Sequence, residues 1–492
     1  MREDEFSEAM GGIDEELIAA AEKSREQQKK RSKAPLWIGM CSVAACAVIA
    51  SAVLLGMGKV NPPISTDSSN VHRLVQAVYP EMPKFNVPYG TGIGSCTEED
   101  EAQGREWSRY KRDVEKMAAG RTESARNFLD DSMKLFLSDA DGKNAVFSPI
   151  NTYMALAVAA ETAEGSGRQQ ILDALGAGSI EELRDSAGRL WSYAYSDDGL
   201  TTCVLGNSLW LRDDSEYDAD TLQRLADSYY ASSFSGKMGS EEYDSELREW
   251  LNEQTGGFLT DYTDDVRLSP ETVLGLYSTV YFSAQWDDRF REENNTQGVF
   301  HSPDGDVQAE FMNWTDVSMS YFWGEDFAAI ALHFEDDGMM WLVLPDEDVT
   351  AEELAQDSEL YGLLHDGYEW EDRSYPEVTL SIPKFDVSAK TELKQGLQQL
   401  GITDIFDAER ADFTPLSEEL DGAAVGSIDQ SARVMIDEDG CTAASYVEIE
   451  YVGAAPPDDK VEFILDRPFL FFITDDSSDV YMPLFGGVVN HP

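Results

Sequence analysis

The residue types that usually carry out catalysis are present, but their spacing forms no recognisable catalytic site. The five histidines, at positions 72, 301, 333, 365 and 491, belong to no HExxH motif, and there is no GxSxG motif. GTGIG at residues 90–94 lacks the strand before it and the helix after it that a phosphate loop needs. Asp437 to Gly440 resembles the start of a calcium loop, but Glu448 at its twelfth position lies in a strand-like stretch. We expect no enzymatic activity, no cofactor and no metal.

The segment that suggests chemistry runs from residue 441 to residue 452, where side chains alternate with a period of two. Small or apolar side chains take every second position, and Glu448 and Glu450 lie between them. Such alternation predicts a β-strand with one buried and one exposed face, and on the residues alone an ordinary half-exposed strand explains it. The face expected to be buried comprises Cys441, Ala443, Ser445, Val447, Ile449 and Tyr451.

The surrounding patterns predict an α+β fold that would hold this segment. Residues 124–137 space their apolar side chains roughly as an amphipathic helix does, and residues 152–175 offer two more helical stretches. Strand-like runs then dominate, among them TVLGLYSTVYF, MMWLVLP and FLFFI. Because helices lead and strands follow, the order differs from that of alternating βαβ units.

The composition excludes several functions. The 492 residues include 94 acidic and 37 basic side chains, a net charge of −57, so nucleic acid is not an expected partner. With 22 Phe, 20 Tyr and 10 Trp, the chain has ample material for a core, unlike an acidic disordered chain. The five cysteines, at positions 41, 46, 96, 203 and 441, are too scattered for a disulfide framework or a CxxC metal site.

Residues 36–57 form an apolar stretch without a charge, long enough for a helix to cross about 30 Å of hydrocarbon. Six basic side chains and one acidic side chain between residues 23 and 33 precede it, which predicts that residues 1–35 are a cytoplasmic tail. Cleavage as a signal peptide and lipoprotein processing at residues 43–46 are the alternatives. We favour an uncleaved, single-pass anchor in the cell membrane.

Residues 58–120 are expected to be an extracytoplasmic linker, because Pro, Gly, Ser and acidic residues dominate without sustained periodicity. HRLVQAVYP at residues 72–80 is a candidate docked segment within it. The tail carries nine acidic and seven basic side chains, a net charge of −2, which leaves −55 of the −57 beyond the membrane segment.

An ordered series of sequence blocks resembles the serpin family. The blocks are NAVFSPINTYMALAVAAETAEGSGRQQILDALG (144–176), YFSAQWDDRF (281–290), LVLPDE (342–347), SIPKFDVSAKTELKQGLQQLGITDIFDAERADF (381–413) and the carboxy-terminal DRPFLFFITDDSSDVYMPLFGGVVNHP. The resemblance implies one serpin domain over residues 121–492, with three β-sheets and eight or nine helices. It also implies an exposed reactive loop at about residues 438–462. We expect a membrane-anchored, inhibitory serpin of a prokaryote.

In this resemblance the alternating segment becomes the reactive loop, which an inhibitory serpin inserts into its main sheet after cleavage. Cys441 stands where the family usually has Thr or Ser, and Thr442 where it usually has Glu. The thiol is small enough to be buried, while Thr442 and the large Tyr446 point outward by the alternation, so inhibition should survive. The implied hinge comprises Glu438, Gly440, Cys441, Thr442, Ala443, Ala444 and Ser445.

The same resemblance places the scissile bond between Ala454 and Ala455, with cleavage after Val452 as the alternative. The small Ala454 suits the shallow pocket of an elastase-like serine protease. Subtilisin-like and papain-like proteases are further candidate targets. Because the hinge would face an oxidising space, we also expect oxidation of Cys441 to modulate insertion.

The resemblance further assigns residues to the shutter beneath the sheet and to the breach, where insertion starts. For Gln430, which stands where His is common, two alternatives are open: an amide pair with Asn151, or surface exposure. Trp286, the breach residue, is equally compatible with a plain core tryptophan. The assigned residues are Ser148, Asn151, Ser278, Trp286 and Gln430.

The expected function is that of a monomeric suicide-substrate inhibitor of elastase-like serine proteases, which traps the acyl-enzyme by loop insertion. A non-inhibitory serpin, acting as a surface binding or adhesion module, is the competing hypothesis. Non-inhibitory relatives tend to carry charged or bulky inward residues at the hinge, and this hinge has none, which favours inhibition.

Overall fold

Four hydrogen-bonded β-sheets and the helices around them make up the part of the chain that the computed structural model describes. The described residues are 71–84, 98–264, 266–335, 338–420, 422–426, 428–441, 460–475 and 480–492. They belong to the compact unit Ser69–Pro492, while the unit Met1–Ser68, with the predicted membrane anchor, lies outside them. Within these ranges no helix is both long and apolar enough to span a bilayer.

The helices of the described residues surround the sheets. They are α1 (Glu98–Ala118), α2 (Thr122–Ser138), α3 (Pro149–Thr162), α4 (Gly165–Ala174), α5 (Ile180–Ala194), α6 (Ala219–Tyr229), α7 (Glu241–Gln254), α8 (Thr260–Thr263), α9 (Ala351–Leu354), α10 (Ser358–Asp366) and α11 (Lys394–Gln399). The predicted helix at residues 124–137 and the two at 152–175 are confirmed as α2, α3 and α4. The described total exceeds the predicted eight or nine because α1 precedes the region of resemblance and two helices have a single turn.

The strands account for all the apolar runs quoted above. They are β1 (His72–Val75), β2 (Ala145–Phe147), β3 (Ser196–Asp197), β4 (Thr202–Arg212), β5 (Ala231–Gly236), β6 (Leu274–Gln285), β7 (Thr296–Ser302), β8 (Gly305–Ser318), β9 (Tyr321–Trp323), β10 (Phe327–His333), β11 (Gly338–Pro345), β12 (Arg373–Ser374), β13 (Glu377–Pro383), β14 (Phe385–Glu392), β15 (Asp429–Ile436), β16 (Gly440–Cys441), β17 (Lys460–Ile464), β18 (Phe469–Asp475) and β19 (Pro483–Val489).

The strands pair into sheets of six, seven, four and two members. The six-stranded sheet has the order β1-β5-β4-β6-β16, with β3 on β4, and the seven-stranded sheet has the order β12-β9-β10-β11-β18-β19-β2. The four-stranded sheet is β17-β13-β8-β7, and β14 pairs with β15 alone. Three sheets were predicted. The fourth arises because no ladder joins the β14–β15 pair to β6 among the described residues.

Helix α3 lies at the centre of the fold and presents its amino terminus to the sheets. Ser148 caps it by accepting a hydrogen bond from the Asn151 amide at 3.4 Å, and Pro149 follows at the first helical position, where a missing N–H does no harm. Every residue from Pro149 to Thr162 is buried. The polar side chains of its first turn therefore lie in the interior, where they need partners.

The predicted linker requires a correction, because two of its stretches are folded onto the domain. The candidate docked segment is confirmed, since His72–Val75 pairs antiparallel with β5 and Tyr79 packs against Trp191, with ring centroids 5.2 Å apart. Residues 98–118, which were expected to belong to the linker, form helix α1. The helix was hard to foresee because its sequence is polar, with few residues such as Val114 and Ala118 turned inward.

Trp107 of α1 makes a polar contact that joins this helix to the rest of the domain. Its indole N–H donates to a carboxylate oxygen of Asp198 at 2.8 Å, and Asp198 is fully buried. The amides of Leu200 and Thr201 donate to the other oxygen, each at 3.0 Å. A buried carboxylate needs all such donors, so α1 is a structural part of the domain.

Replacing Trp107 with phenylalanine is expected to lower the free energy of unfolding by about 1–3 kcal/mol, because the buried Asp198 loses one donor. Urea unfolding of the full-length chain measures the change. Met117→Ala serves as the control, because the Met117 side chain on the same helix is 43% exposed and its loss should matter by less than about 0.5 kcal/mol. Equal effects of the two substitutions would show that the indole contact does not hold the helix.

Candidate functional site

Strands β6 and β15 are neighbours, but no ladder joins them among the described residues. On one edge β6 pairs with β4 from Ser283 to Leu274, and on the other edge the described residues pair with it only through β16. Strand β15 pairs with β14. Residues of both β6 and β15 line a cavity of about 120 Å³. Because unpaired strand edges are templates for another strand, this space, which we call the β6–β15 gap, is where a strand could enter once β6 and β15 move apart.

Gly440 closes the gap at one end and needs to be a glycine. Its φ of 149° lies in a region that side chains rarely adopt, and a Cβ there would overlap the carbonyl oxygen of Ala284 on β6. The carboxylate of Asp437 accepts hydrogen bonds from the amides of Asp439 at 3.0 Å and Gly440 at 3.2 Å. The turn at residues 437–440, where the predicted hinge begins, is thus held by the Asp437 side chain, and these hydrogen bonds account for the acidic sequence that resembles a calcium loop.

Cys441 is the last described residue before the predicted reactive loop. It pairs antiparallel with Ala284 of β6, and its side chain is 3% exposed. The remaining predicted hinge residues, Thr442 to Ser445, and the predicted bond between Ala454 and Ala455 lie outside the described residues. Cys441, where the predicted loop begins, is therefore a buried residue at the end of the gap.

Trp286, the predicted breach residue, fastens this hinge to the end of β6. Its indole N–H donates to the carbonyl of Asp437 at 2.9 Å, and its amide donates to the carbonyl of Asp439 at 3.1 Å. The ring is 1% exposed and stacks on Phe334, with centroids 4.9 Å apart. It is a core tryptophan and a hinge contact at once, so the two interpretations were compatible.

Glu438, the first predicted hinge residue, belongs to a charged cluster beside Trp286. Lys384 lies 2.6 Å from its carboxylate and 2.8 Å from that of Glu310, and the amide of Asn295 donates to it as well. Burial alone would raise the pKa of Glu438, but the hydrogen bonds from Lys384 and Asn295 outweigh it, and the pKa lies below its usual value. Sequence reasoning missed Lys384 and Asn295, although Lys384 stands within the quoted SIPKF block.

Gln430, on β15, crosses beneath the gap to the amino terminus of α3. Its side-chain oxygen accepts from the Ser148 amide at 2.8 Å. Its NH₂ group donates to the Ser148 carbonyl at 2.9 Å and to the Thr152 hydroxyl at 3.1 Å. The side chain is 2% exposed, so the alternative of surface exposure is wrong. Thr152 was not foreseen as a member of the shutter.

The proposed amide pair between Asn151 and Gln430 is also wrong. The hydroxyl of Ser278 on β6 donates to the side-chain oxygen of Asn151, and it lies 2.8 Å from that of Asn207 on β4. Asn151 therefore accepts a hydrogen bond from β6, while Gln430 joins β15 to the start of α3. The first turn of α3 holds both sides of the gap through separate hydrogen bonds, and no spacing in the sequence could distinguish this from a direct pair.

The comparison with known families decides what this arrangement belongs to. A family profile described as Serpin (serine protease inhibitor) matches residues 123–492. The chain belongs to the serpin family. Serpins are generally protease inhibitors rather than catalysts.

Related serpins come from plants, archaea and animals. Serpin-Z2A of Oryza sativa subsp. japonica is 26% identical over 399 residues, covering 72% of this chain and 92% of the relative. An uncharacterized serpin-like protein of Thermococcus kodakarensis is 26% identical over 363 residues, covering 72% and 82%. Mouse plasminogen activator inhibitor 1 is 25% identical over 396 residues, covering 75% and 92%.

Solved serpin structures share the fold. The thermophilic serpin tengpin, in its native state, matches with a TM-score of 0.66 at 25% identity, covering 74% of this chain and 93% of tengpin. Arabidopsis AtSerpin1, in a native stressed conformation, matches with a TM-score of 0.64 at 24% identity, covering 76% and 98%.

The hinge thiol of this serpin is poorly suited to redox control. Burial raises the pKa of Cys441 to about 12. The thiolate is the species that oxidants attack, and a buried neutral thiol provides little of it. The expectation that oxidation of Cys441 modulates insertion is therefore not supported.

The Glu438 cluster predicts a pH dependence of this serpin's stability. A depressed carboxyl pKa adds stability that is fully present above the unfolded pKa near 4.5 and is lost as the pH falls through the lower folded pKa. Glu438→Gln is expected to lower the free energy of unfolding by about 1 kcal/mol at pH 7 and by less at pH 3. Urea unfolding at both pH values measures it. The exposed Glu347→Gln is the control, and a deficit that does not shrink at pH 3 would contradict the assignment.

Proposed function

We propose that this serpin is a suicide-substrate inhibitor of elastase-like serine proteases, and that its cleaved loop enters the β6–β15 gap as a new strand. One observation carries the proposal: among the described residues, β6 and β15 are neighbours without a ladder between their facing edges, and the hinge residue Cys441 lies at the end of the space between them. An inserted strand would supply the missing backbone partners of β6 and β15.

The loop sequence suits such an insertion. If the alternation continues from the buried Cys441, then Ala443, Ser445 and Val447 turn toward the interior and the two glutamates turn toward solvent. An inward charge would be buried without a partner and would oppose insertion. This stretch places none on the inward face.

The proposed target follows from the residue at the proposed scissile bond. The protease serine would attack the Ala454 carbonyl, the bond to Ala455 would break, and the new amine would leave with a proton while the acyl ester forms. A small Ala454 suits a shallow primary pocket, and Pro456 disfavours cleavage one residue later. Insertion of the loop would then move the attached protease and distort its oxyanion hole. Because hydrolysis of the ester needs that oxyanion hole, the acyl-enzyme would persist. Subtilisin-like and papain-like enzymes are alternative targets of the same loop.

The proposed setting is the outer face of a cell membrane. Residues 36–57 would anchor a monomeric inhibitor whose serpin domain lies outside the cell, with residues 1–35 in the cytoplasm. A prokaryotic source stays a prediction. Because the net charge beyond the anchor is strongly negative, encounter with a cationic protease would be accelerated and would slow at high salt.

Mixing the full-length chain, in mild detergent, with an elastase tests the proposal. A covalent conjugate that survives SDS, with loss of elastase activity at a near one-to-one ratio, is the expected result. Parallel reactions with a subtilisin-like and a papain-like protease, followed by mass spectrometry of the loop, identify the bond and the target class. Recovery of a cleaved loop with fully active protease in all three reactions would contradict inhibition and favour a non-inhibitory binding module.

A further inference from the structure

A side chain from β15 reaches across the front of the β6–β15 gap. The guanidinium of Arg433 donates to the carbonyl of Phe258 at 2.8 Å, and it lies 4.4 Å from the centroid of the Phe258 ring. Phe258 in turn packs edge-on against Tyr281 of β6, with centroids 6.2 Å apart. The chain of contacts β15–Arg433–Phe258–Tyr281–β6 thus spans the gap, and we call it the latch.

One end of the latch belongs to the six-stranded sheet and the other end to the β14–β15 pair. Phe258 follows α7, whose residues Leu247 and Trp250 pack in one cluster with Trp210 of β4 and Phe234 of β5. Arg433 belongs to the β14–β15 pair, where Asp386 of β14 accepts two hydrogen bonds from its guanidinium, at 2.7 and 2.6 Å. The guanidinium is therefore held in place by Asp386 of β14 while it bonds to Phe258, which follows α7.

Two residues that follow Phe258 also line the cavity beside the gap. Leu259 and Thr263 line that cavity together with Tyr277 and Thr279 of β6 and Ser431 of β15. The Phe258 amide donates to the Thr255 carbonyl at 2.9 Å, and the Gly257 amide to the Asn252 carbonyl at 2.8 Å, so the turn is fixed to the end of α7. These hydrogen bonds keep Phe258 in place at the end of α7, so Phe258 should not simply follow Arg433 when β15 moves.

Entry of a strand must break this latch. A new strand needs about 4.8 Å on each side, so β15 must move away from β6 by roughly one strand spacing. A hydrogen bond of 2.8 Å does not survive such a displacement. We propose that Arg433 and Phe258 are positioning residues that set the rate at which the β6–β15 gap opens. This rests on the proposed function in that the gap must be the acceptor of the loop.

Uptake of a synthetic peptide tests the latch without any protease. The probe is residues 441–452, CTAASYVEIEYV, with an amino-terminal fluorophore, and its binding to the full-length chain in mild detergent is followed by fluorescence anisotropy. Arg433→Met is expected to take up the peptide about tenfold faster than the natural chain, because a charge-assisted hydrogen bond and a cation–π contact are absent. Phe258→Leu should accelerate uptake similarly from the other side. The double variant should be no faster than the faster single variant, since both remove one contact.

Arg212→Met is the matched control, because Arg212 forms an ion pair with Asp214 at the end of β4 and pairs there with Gly236 of β5, on the edge of β4 opposite to β6. It should stay within about twofold of the natural chain. If the natural chain takes up peptide and neither Arg433→Met nor Phe258→Leu exceeds the control, the latch is refuted while the gap stands. If the natural chain takes up no peptide, the gap is not a strand acceptor and both proposals fall.

Discussion

Replacing Cys441 with arginine is expected to turn the inhibitor into a substrate. Cys441 is 3% exposed and pairs with Ala284, and its raised pKa keeps the thiol neutral, so it occupies its place as a small apolar side chain. Because this place is already buried before cleavage, an arginine there would put a charge into the interior, the hinge could not stay seated beside β6, and the loop could not continue inward from it. The SDS-stable conjugate with elastase should fall at least tenfold, and the cleaved chain should accumulate instead.

Thr442→Arg is the matched control for this substitution. It introduces the same charge one residue further along, where the alternation directs the side chain to solvent. This variant should form the conjugate nearly as well as the natural chain. The inward assignment of Cys441 would be wrong if Cys441→Arg retained full conjugate formation, or if both variants lost it equally.

Replacing Ala454 with arginine is expected to exchange the target protease. The trypsin pocket holds an aspartate that pairs with a basic side chain, whereas the shallow elastase pocket admits only a small one. Inhibition of elastase should fall by about a thousandfold, and inhibition of trypsin should appear. Second-order rate constants for both enzymes measure the exchange.

Val452→Arg distinguishes the two candidate bonds. If Ala454–Ala455 is cleaved, Val452→Arg leaves trypsin without its preferred residue at the scissile position and should not create a comparable inhibitor of trypsin. If Val452→Arg creates the trypsin inhibitor and Ala454→Arg does not, the bond after Val452 is the reactive one.

The parts of the fold that the sequence predicted are those whose signal is local. The start of α3 could be predicted from Phe147, Ser148 and Pro149, because a capping residue and a first-turn proline stand at consecutive positions in the sequence. The run FLFFI announced β18 because a strand buried on both faces is apolar throughout. Helix α1 was not predicted, because few of its described residues are buried and its sequence therefore shows little apolar pattern.

The parts that the sequence could not predict depend on contacts between distant segments. Gln430 bonds to Thr152, which is 278 residues away in the chain, and Arg433 bonds to Phe258, which is 175 residues away. Periodicity reports only which face of one element is apolar, so it cannot say which polar group meets which across a gap. The pairing of Asn151 with Gln430 was wrong for this reason. Both amides lie beneath the gap, but Asn151 bonds to Ser278 of β6, whereas Gln430 bonds from β15 to the start of α3.

Hydrogen exchange of β6 and β15, before and after reaction of the full-length chain with elastase, tests the central claim most directly. If the loop enters the β6–β15 gap, the amides that face the gap in residues 274–285 and 429–436 gain backbone partners, and their exchange should slow by at least a hundredfold, while the buried β11 and β18 remain unchanged. Loop cleavage without added protection of β6 and β15 would contradict insertion into this gap and, with it, the proposed mechanism of inhibition.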